Sequence, residues 1–427
     1  MEFELNGYYT LILATLVLLL GRFLVKRIKF LSDFNIPEPV AGGLVAAIIV
    51  YVLNLTLGYN FNFQKELQTA CMLMFFASIG LSADFGRLKA GGKPLVVFLV
   101  LVSGYIIVQN VVGVAMAKVV GLEPLMGLVI GSISLTGGHG TAGAWGAVFE
   151  SKYQITGATT LGIACATYGL VAGGLIGGPV AKRLIKNLNI SPMMNQDNQA
   201  DQTDVEKLAG KQSLYSTRHH EDDDGKAKEI FERPDNIRLI TASSTIETLA
   251  MFAGALAFAG IMTDVAKGTW FELPTFVWAL GGGVIIRNVL TTFFNFDMFD
   301  RAIDVLGNAS LSLFLAMALI SLKLWELADL AGPVLIILLV QTVMMIVFAY
   351  FLTFRVMGKN YDAAVLSAGH CGFGLGATPT AIANMQAITD RYAPSPKAFL
   401  IVPMVGAFFV DIINATVLQI FTQLPFM

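Results

Sequence analysis

Charge is the scarcest commodity in this 427-residue chain: Asp, Glu, Lys and Arg make up only 14% of it, where a soluble domain carries about 25%. With 55% of residues hydrophobic, an ordinary water-soluble enzyme is a poor fit. A basic surplus is missing too: the formal net charge is −2, which excludes an extended cationic surface for nucleic acid. The three cysteines, Cys71, Cys165 and Cys371, stand far apart in apolar stretches and offer neither a disulfide framework nor a zinc spacing. No Walker-A loop, dinucleotide glycine fingerprint or paired-histidine metal motif occurs, so no enzyme activity and no organic cofactor are expected. The pair His219-His220 is followed by Glu221 and three aspartates and reads as part of a solvated charge run. The start, Met1-Glu2-Phe3-Glu4, lacks a basic n-region, and Gly21-Arg22 follows Leu20 where a cleavage site would need small residues; an uncleaved first helix is expected.

What the chain does have is long apolar runs. A bilayer core takes about 20 apolar residues per helix. Five candidate spans lie in the first part: 8–25, 36–57, 67–82, 94–119 and 157–185. Five more lie in the last part: 239–263, 272–290, 308–325, 333–354 and 398–424. The fold class expected is an all-α polytopic membrane protein. Each half also holds one apolar piece too short to cross. The first, 124–135, runs into Gly137-Gly138-His139-Gly140; the second, 362–369, runs into Gly369-His370-Cys371-Gly372. Such pieces can enter a membrane and turn back where protein or a water-filled cavity surrounds the turn. The reading is therefore a first membrane repeat (1–190, re-entrant loop 124–149), a polar linker (191–236) and a second membrane repeat (237–427, re-entrant loop 361–390).

Lysine and arginine set the orientation. With the N-terminus outside and five crossings per half, 23 of them fall inside and 5 outside. Without the six linker cations before Arg238 the bias is still 17 to 5. The positive-inside rule then places both termini in the periplasm and the linker in the cytoplasm. The halves also align with one another. Pro37 falls on Pro274, Gln109 on Gln341, His139 on His370 and Gly174 on Gly406, at offsets of 231–237. Five is odd, so the second copy would be inverted, and inverted-repeat transporters bind substrate at the repeat interface near the midplane.

That points to the glycine clusters as the site. Glycines at membrane depth let a ligand approach the main chain, and a half-helix start directs free N–H groups at an anion. Hydroxyls stand beside them: Thr136 and Thr141 in the first cluster, Thr378 and Thr380 in the second, where Pro379 suits a helix start. The candidate contacts for a small, polar, anionic solute are Thr136, Gly137, Gly138, His139, Gly140, Thr141, His370, Gly372, Gly374, Thr378 and Thr380, joined by Asn384 and Asp411. A tight helix-packing turn is the plainer alternative for any one glycine cluster.

At this point the motifs resemble the bacterial sodium/glutamate symporter family. The matching runs are 36–43 (IPEPVAGG), 134–141 (SLTGGHGT), 368–389 (AGHCGFGLGATPTAIANMQAIT) and 402–409 (VPMVGAFF). The resemblance implies two inverted five-helix repeats with re-entrant loops and Na⁺-coupled uptake of L-glutamate across the inner membrane. It leaves Na⁺ as the coupling ion, with L-glutamate, Na⁺ and the lipid bilayer as partners. The wider fold group further implies a homodimer in which a core slides against a scaffold.

The remaining intramembrane polar residues divide by role. Asp411 is a carboxylate inside an apolar span, costly by about 2.5–3.5 kcal/mol on insertion scales and functional by default. Asn414, at i+3, shares its helix face, and the two are the candidate Na⁺ ligands because hard cations take oxygen. Glu247, near a helix end, is expected to snorkel or meet Arg238. Gln109 and Gln341 are expected to bridge helices, and Glu38 and Glu272 to complement helix dipoles. Three rivals remain: a Na⁺- or H⁺-coupled carrier of aspartate, malate or citrate, a channel, and a membrane enzyme.

Overall fold

The computed structural model describes residues 2–34, 36–188, 240–269, 272–321 and 330–424. The 191–236 linker and Arg238 lie outside that range. Helices occupy all ten stretches read as spans. In order they are α1 (Gly7–Arg27), α2 (Lys29–Asp33), α3 (Glu38–Leu57), α4 (Lys65–Ser82), α5 (Phe85–Val119), α6 (Pro124–Leu128), α7 (Gly138–Lys152) and α8 (Ala158–Asn187). After the linker come α9 (Ala242–Ala266), α10 (Thr275–Phe293), α11 (Asp300–Ile320), α12 (Ala331–Val347), α13 (Tyr361–Leu375), α14 (Thr378–Thr389), α15 (Pro396–Met404) and α16 (Val410–Thr422). Among the described residues eight helices are long and apolar enough to cross a membrane; this is a multi-pass membrane protein. Two of the ten fall short for visible reasons. The 18 residues of α4 begin with Lys65 and Glu66, and the last stretch is broken by a π-helical segment, Val405–Phe409, just after Pro403. Proline removes an i→i−4 hydrogen bond, and a π-bulge is one way a helix absorbs that.

One departure from the all-helical expectation is small. Glu2–Leu5 (β1) and Asn60–Phe63 (β2) pair as parallel strands. β1 precedes α1 and β2 follows α3; α1 and α3 pack together, so the two segments are brought side by side by the helices they are attached to. Local caps agree with the sequence. Asn6 accepts from the N–H groups of Tyr8 and Tyr9 at 3.1 Å each, and Thr241 and Ser244 form a reciprocal capping box on α9. Glu38 lies in the first turn of α3 and pairs with Arg22 at 3.4 Å. Glu272 caps the approach to α10. Its carboxylate accepts from Gly268 N–H at 3.1 Å and from Lys152 Nζ at 3.0 Å, and these bonds hold it below the usual carboxylate range. Glu247 is exposed on α9, 3.5 Å from Ser243 Oγ.

The helices sort into two packed groups. In one, α4 lies against α10 and α11, α1 against α3, α3 against α11 and α9 against α10. The crossings are backbone on backbone: a Cβ on Gly80 would overlap the carbonyl of Leu280, one on Gly283 would meet Ala77 O at 2.5 Å, and Gly21 and Gly42 are locked the same way against α3 and α1. Small residues that let helices approach this closely are the usual device where lipid supplies no hydrophobic drive. The second group contains α5, α8, α12, α15, α16 and two helical hairpins, α6–α7 and α13–α14. Where the groups meet, Trp145 packs edge-on against Phe276, and part of the contact is side chain on glycine. A Cβ on Gly140 would meet the Phe75 ring at 2.5 Å, and one on Gly143 the Phe314 ring at 2.7 Å.

The second hairpin is seated on α8 by glycine as well. A Cβ at Gly169 would overlap the carbonyl oxygen of Leu375. Gly169→Leu is therefore expected to unseat that hairpin. Overpacking costs about 1–3 kcal/mol, visible as a lower unfolding temperature in detergent. Gly178→Leu is the control, because a Cβ at Gly178 meets nothing within 4 Å; equal thermal shifts in the two variants would contradict this packing.

Candidate functional site

The first hairpin breaks where the glycine cluster suggests. Its first arm runs through α6 into a π-helical turn, Val129–Ile133. The second arm starts at Gly138, whose φ of +65° favours glycine. The second hairpin corrects the expectation from sequence. The helix does not stop at Gly369-His370-Cys371-Gly372; α13 continues to Leu375, and the break comes at Gly376-Ala377. Gly369 and Gly372 are helix-packing positions. A Cβ on Gly372 would meet the Ala381 backbone, and one on Gly369 would press on Val402 and Met385. Pro379, in the first turn of α14, marks the true restart.

The two tips touch. Thr136 Oγ1 lies 2.6 Å from Gln109 Oε1 and 3.2 Å from Gly374 O. Gln109 Nε2 donates to Gly374 O at 3.1 Å. A Cβ on Gly138 would sit 3.5 Å from Gly376 O. Gln341 Nε2 donates to the Gln109 carbonyl at 2.9 Å, so the two glutamines do bridge α5 and α12, and one of them also reaches both hairpins. Thr136, Gln109, Gln341, Gly374 and Gly376 are buried, where an unpaired polar atom is expensive, so the network fixes the tips relative to each other.

Asp411 and Asn414 address the first hairpin from one helix face, one arm each. Thr141 Oγ1, on the second arm, lies 3.4 Å from Asp411 Oδ1. On the first arm Ser132 Oγ donates to Asn414 Oδ1 at 2.6 Å, and Asn414 Nδ2 donates to Ser132 O at 3.1 Å. Asn110 completes the group, its Oδ1 accepting from Ser132 N–H at 3.2 Å. Thr141 thus meets the Asp411 carboxylate, while Ser132 and Asn110 gather around Asn414, one helical turn along the same face. Ser132 and Asn110 carried no sequence signal except that Asn110 follows Gln109; serine and asparagine are too common to single out.

Both hairpin histidines are held by threonine hydroxyls. His139 Nε2 is 3.0 Å from Thr167 Oγ1. His370 Nδ1 is 2.9 Å from Thr353 Oγ1, and its ring is boxed by Phe98, Tyr105, Phe348 and Phe373. His370 is completely buried and faces this cage. Thr380 and Asn384 line a different space, a cavity of about 190 Å³ beside α8. Thr378 is half-buried at the start of α14, and Gly406 lies beside its hydroxyl.

Among the described residues no group of three or more His, Cys, Asp or Glu could hold a metal ion, but the oxygens around Asp411 and Asn414 suit a hard monovalent cation, whose ligands are mostly neutral oxygens.

Comparison with known sequences identifies the family. The profile of the sodium/glutamate symporter family matches residues 3–214 and 205–394. A sodium/glutamate symporter of Haemophilus influenzae is 54% identical over 420 residues, 98% of each chain. Proteins of the same name from Escherichia coli and Shigella flexneri are each 52% identical over 423 residues, 99% of each chain. With the family profile spanning most of its length and relatives this close over nearly all of it, the chain belongs to the sodium/glutamate symporter family.

Proposed function

We propose that this chain carries L-glutamate into the bacterial cell together with Na⁺, by alternating access across the inner membrane. The observation that carries this is identity above 50% over nearly the whole chain to proteins named as sodium/glutamate symporters. The geometry supports it. In this reading the two hairpins are re-entrant, each belongs to one of two inverted repeats (1–190 and 237–427), and their tips meet near the midplane. Equivalent contacts of the halves, α4 on α10 and α3 on α11, favour that symmetry.

Na⁺ settles against Asp411 and Asn414, with Ser132, Thr141 and Asn110 supplying further oxygens. The ion offsets a carboxylate that is otherwise costly at membrane depth. Glutamate follows, its carboxylates facing main-chain N–H groups and threonine hydroxyls at the tips, including Thr136, Gly137, Gly138, Gly140, Gly374, Thr378 and Thr380. His139, His370 and Gly372 serve to pack and orient the hairpins. Ion and substrate each raise the other's affinity, as linkage requires. The working unit is a homodimer, with both termini periplasmic and the linker cytoplasmic.

The test is uptake of L-glutamate into proteoliposomes under an inward Na⁺ gradient. Concentrative uptake that disappears when choline replaces Na⁺ is the expected result. Equal uptake in choline would end the coupling. Stronger competition by aspartate, malate or citrate would name another substrate, and currents far above exchange rates would indicate a channel.

A further inference from the structure

The cavity beside α8 lies on the seam between the two helix groups and is lined by Asp33, Phe34, Gly174, Thr380, Ala383 and Asn384. Four of these were not candidates from sequence: Asp33 at the end of α2, Phe34 just after it, Gly174 on α8 and Ala383 on α14. Thr380 is 2% exposed, and its Oγ1 has no hydrogen-bond partner although it is buried. A buried hydroxyl in that condition costs free energy unless something bonds to it. Asn384 has its amide hydrogens committed, Nδ2 donating to Gly173 O at 2.9 Å and to Ala368 O at 3.3 Å. Its Oδ1 is left as an acceptor on the wall. Asp33 is exposed, and among the described residues no lysine or arginine lines the space.

The cavity therefore has two chemically different ends. Asp33 and Asn384 Oδ1 accept and favour a positive group. Thr380 sits in the first turn of α14, where a hydroxyl and free helix N–H groups donate to a negative one. A bare Na⁺ fits poorly, because hard cations are closed in by about six oxygens at roughly 2–2.6 Å, and the side-chain oxygens of only three residues around about 190 Å³ cannot do that. A zwitterion fits both ends.

Resting on the symport reading, we propose that this cavity holds the backbone end of the transported amino acid, with the ammonium between Asp33 and Asn384 Oδ1 and the α-carboxylate against the Thr380 hydroxyl. Asp33 is then a specificity-determining residue, the one that requires an amino group on the dicarboxylate. It belongs to the other helix group from Thr380 and Asn384, so the recognition is split across the seam.

The experiment uses the full chain purified in detergent. At saturating Na⁺, Asp33→Asn is expected to bind L-glutamate about tenfold more weakly, one charge-assisted contact being worth about one decade. Competition by glutarate, which is the same dicarboxylate without the ammonium, should change by less than about twofold on the same scale. Thermal stabilisation by Na⁺ alone should keep its midpoint. Thr380→Val should also weaken glutamate, with Thr380→Ser restoring it.

Asp33→Asn with unchanged glutamate affinity overturns the assignment. So does an equal loss for glutarate, or a shifted midpoint for Na⁺ alone, which would make Asp33 a cation ligand. Absence of Na⁺-dependent glutamate binding by the unaltered chain overturns the symport reading, and this assignment with it; the other outcomes leave that reading standing.

Discussion

Asp411→Asn is expected to lower Na⁺-dependent glutamate uptake by about 100-fold, whereas Glu247→Gln lowers it by less than about twofold; 100-fold corresponds to about 2.7 kcal/mol. The two carboxylates lie on apolar helices but in opposite settings. Glu247 is exposed near the start of α9, where it can reach the interface. Asp411 is half-buried, beside Thr141 and three residues from the fully buried Asn414. Asparagine keeps its shape and removes only the charge, so a loss in that variant reports electrostatics and not packing. Initial uptake rates in proteoliposomes as a function of Na⁺ concentration make the comparison, with thermal unfolding as the check on folding. Equal losses in the two variants, or normal Na⁺ dependence in Asp411→Asn, would remove Asp411 from the ion site.

Arg287→Met carries a large expected cost in stability, about 3 kcal/mol, the upper end for losing hydrogen bonds to charged groups. Arg287 is 3% exposed on α10. Its guanidinium bonds to Asp300 at the start of α11, lies 3.3 Å from Asp84, and reaches Leu81 O at 3.4 Å. The next residue, Asn288, finishes the fastening. Its Nδ2 donates to Ala83 O at 2.9 Å and its Oδ1 accepts from Phe85 N–H at 3.0 Å. Removing the cation takes these bonds away from the junction of α4, α5 and α11. Thermal unfolding in detergent should show the loss. An Arg287→Met protein as stable as the unaltered one would show that solvent reaches the junction.

Much of this was legible in the residues, and the failures are instructive. Apolar run length gave the helix positions, since lipid demands about 20 apolar residues per crossing. The first hairpin was legible because Gly138 needs a positive φ. The second was misplaced by several residues because a glycine run has two meanings, a chain break or a close helix contact, and only the neighbour decides. Gly372 faces the Ala381 backbone, a fact absent from the local sequence; Pro379 was the better signal. Gln109 and Gln341 could be assigned to bridging from type alone, but their link to both hairpin tips depends on tertiary placement. Arg287 counted only as one more inside cation, and its burial followed from two aspartates 203 and 13 residues away. The strand pairing of Glu2–Leu5 with Asn60–Phe63 was invisible for the same reason, as the partners meet only once α1 and α3 have docked.

The two kinds of glycine contact permit different movements. Between α4 and α10 peptide meets peptide, and peptide groups have no rotamers to change; those helices are keyed together and travel as one body. At Gly140 and Gly143 the smooth face of a hairpin meets the rings of Phe75 and Phe314, which can swing about χ1 and χ2 and let a surface pass. A shift of one group against the other would meet least resistance along that aromatic seam, and bulky residues at either glycine would act there as a brake while leaving each body intact.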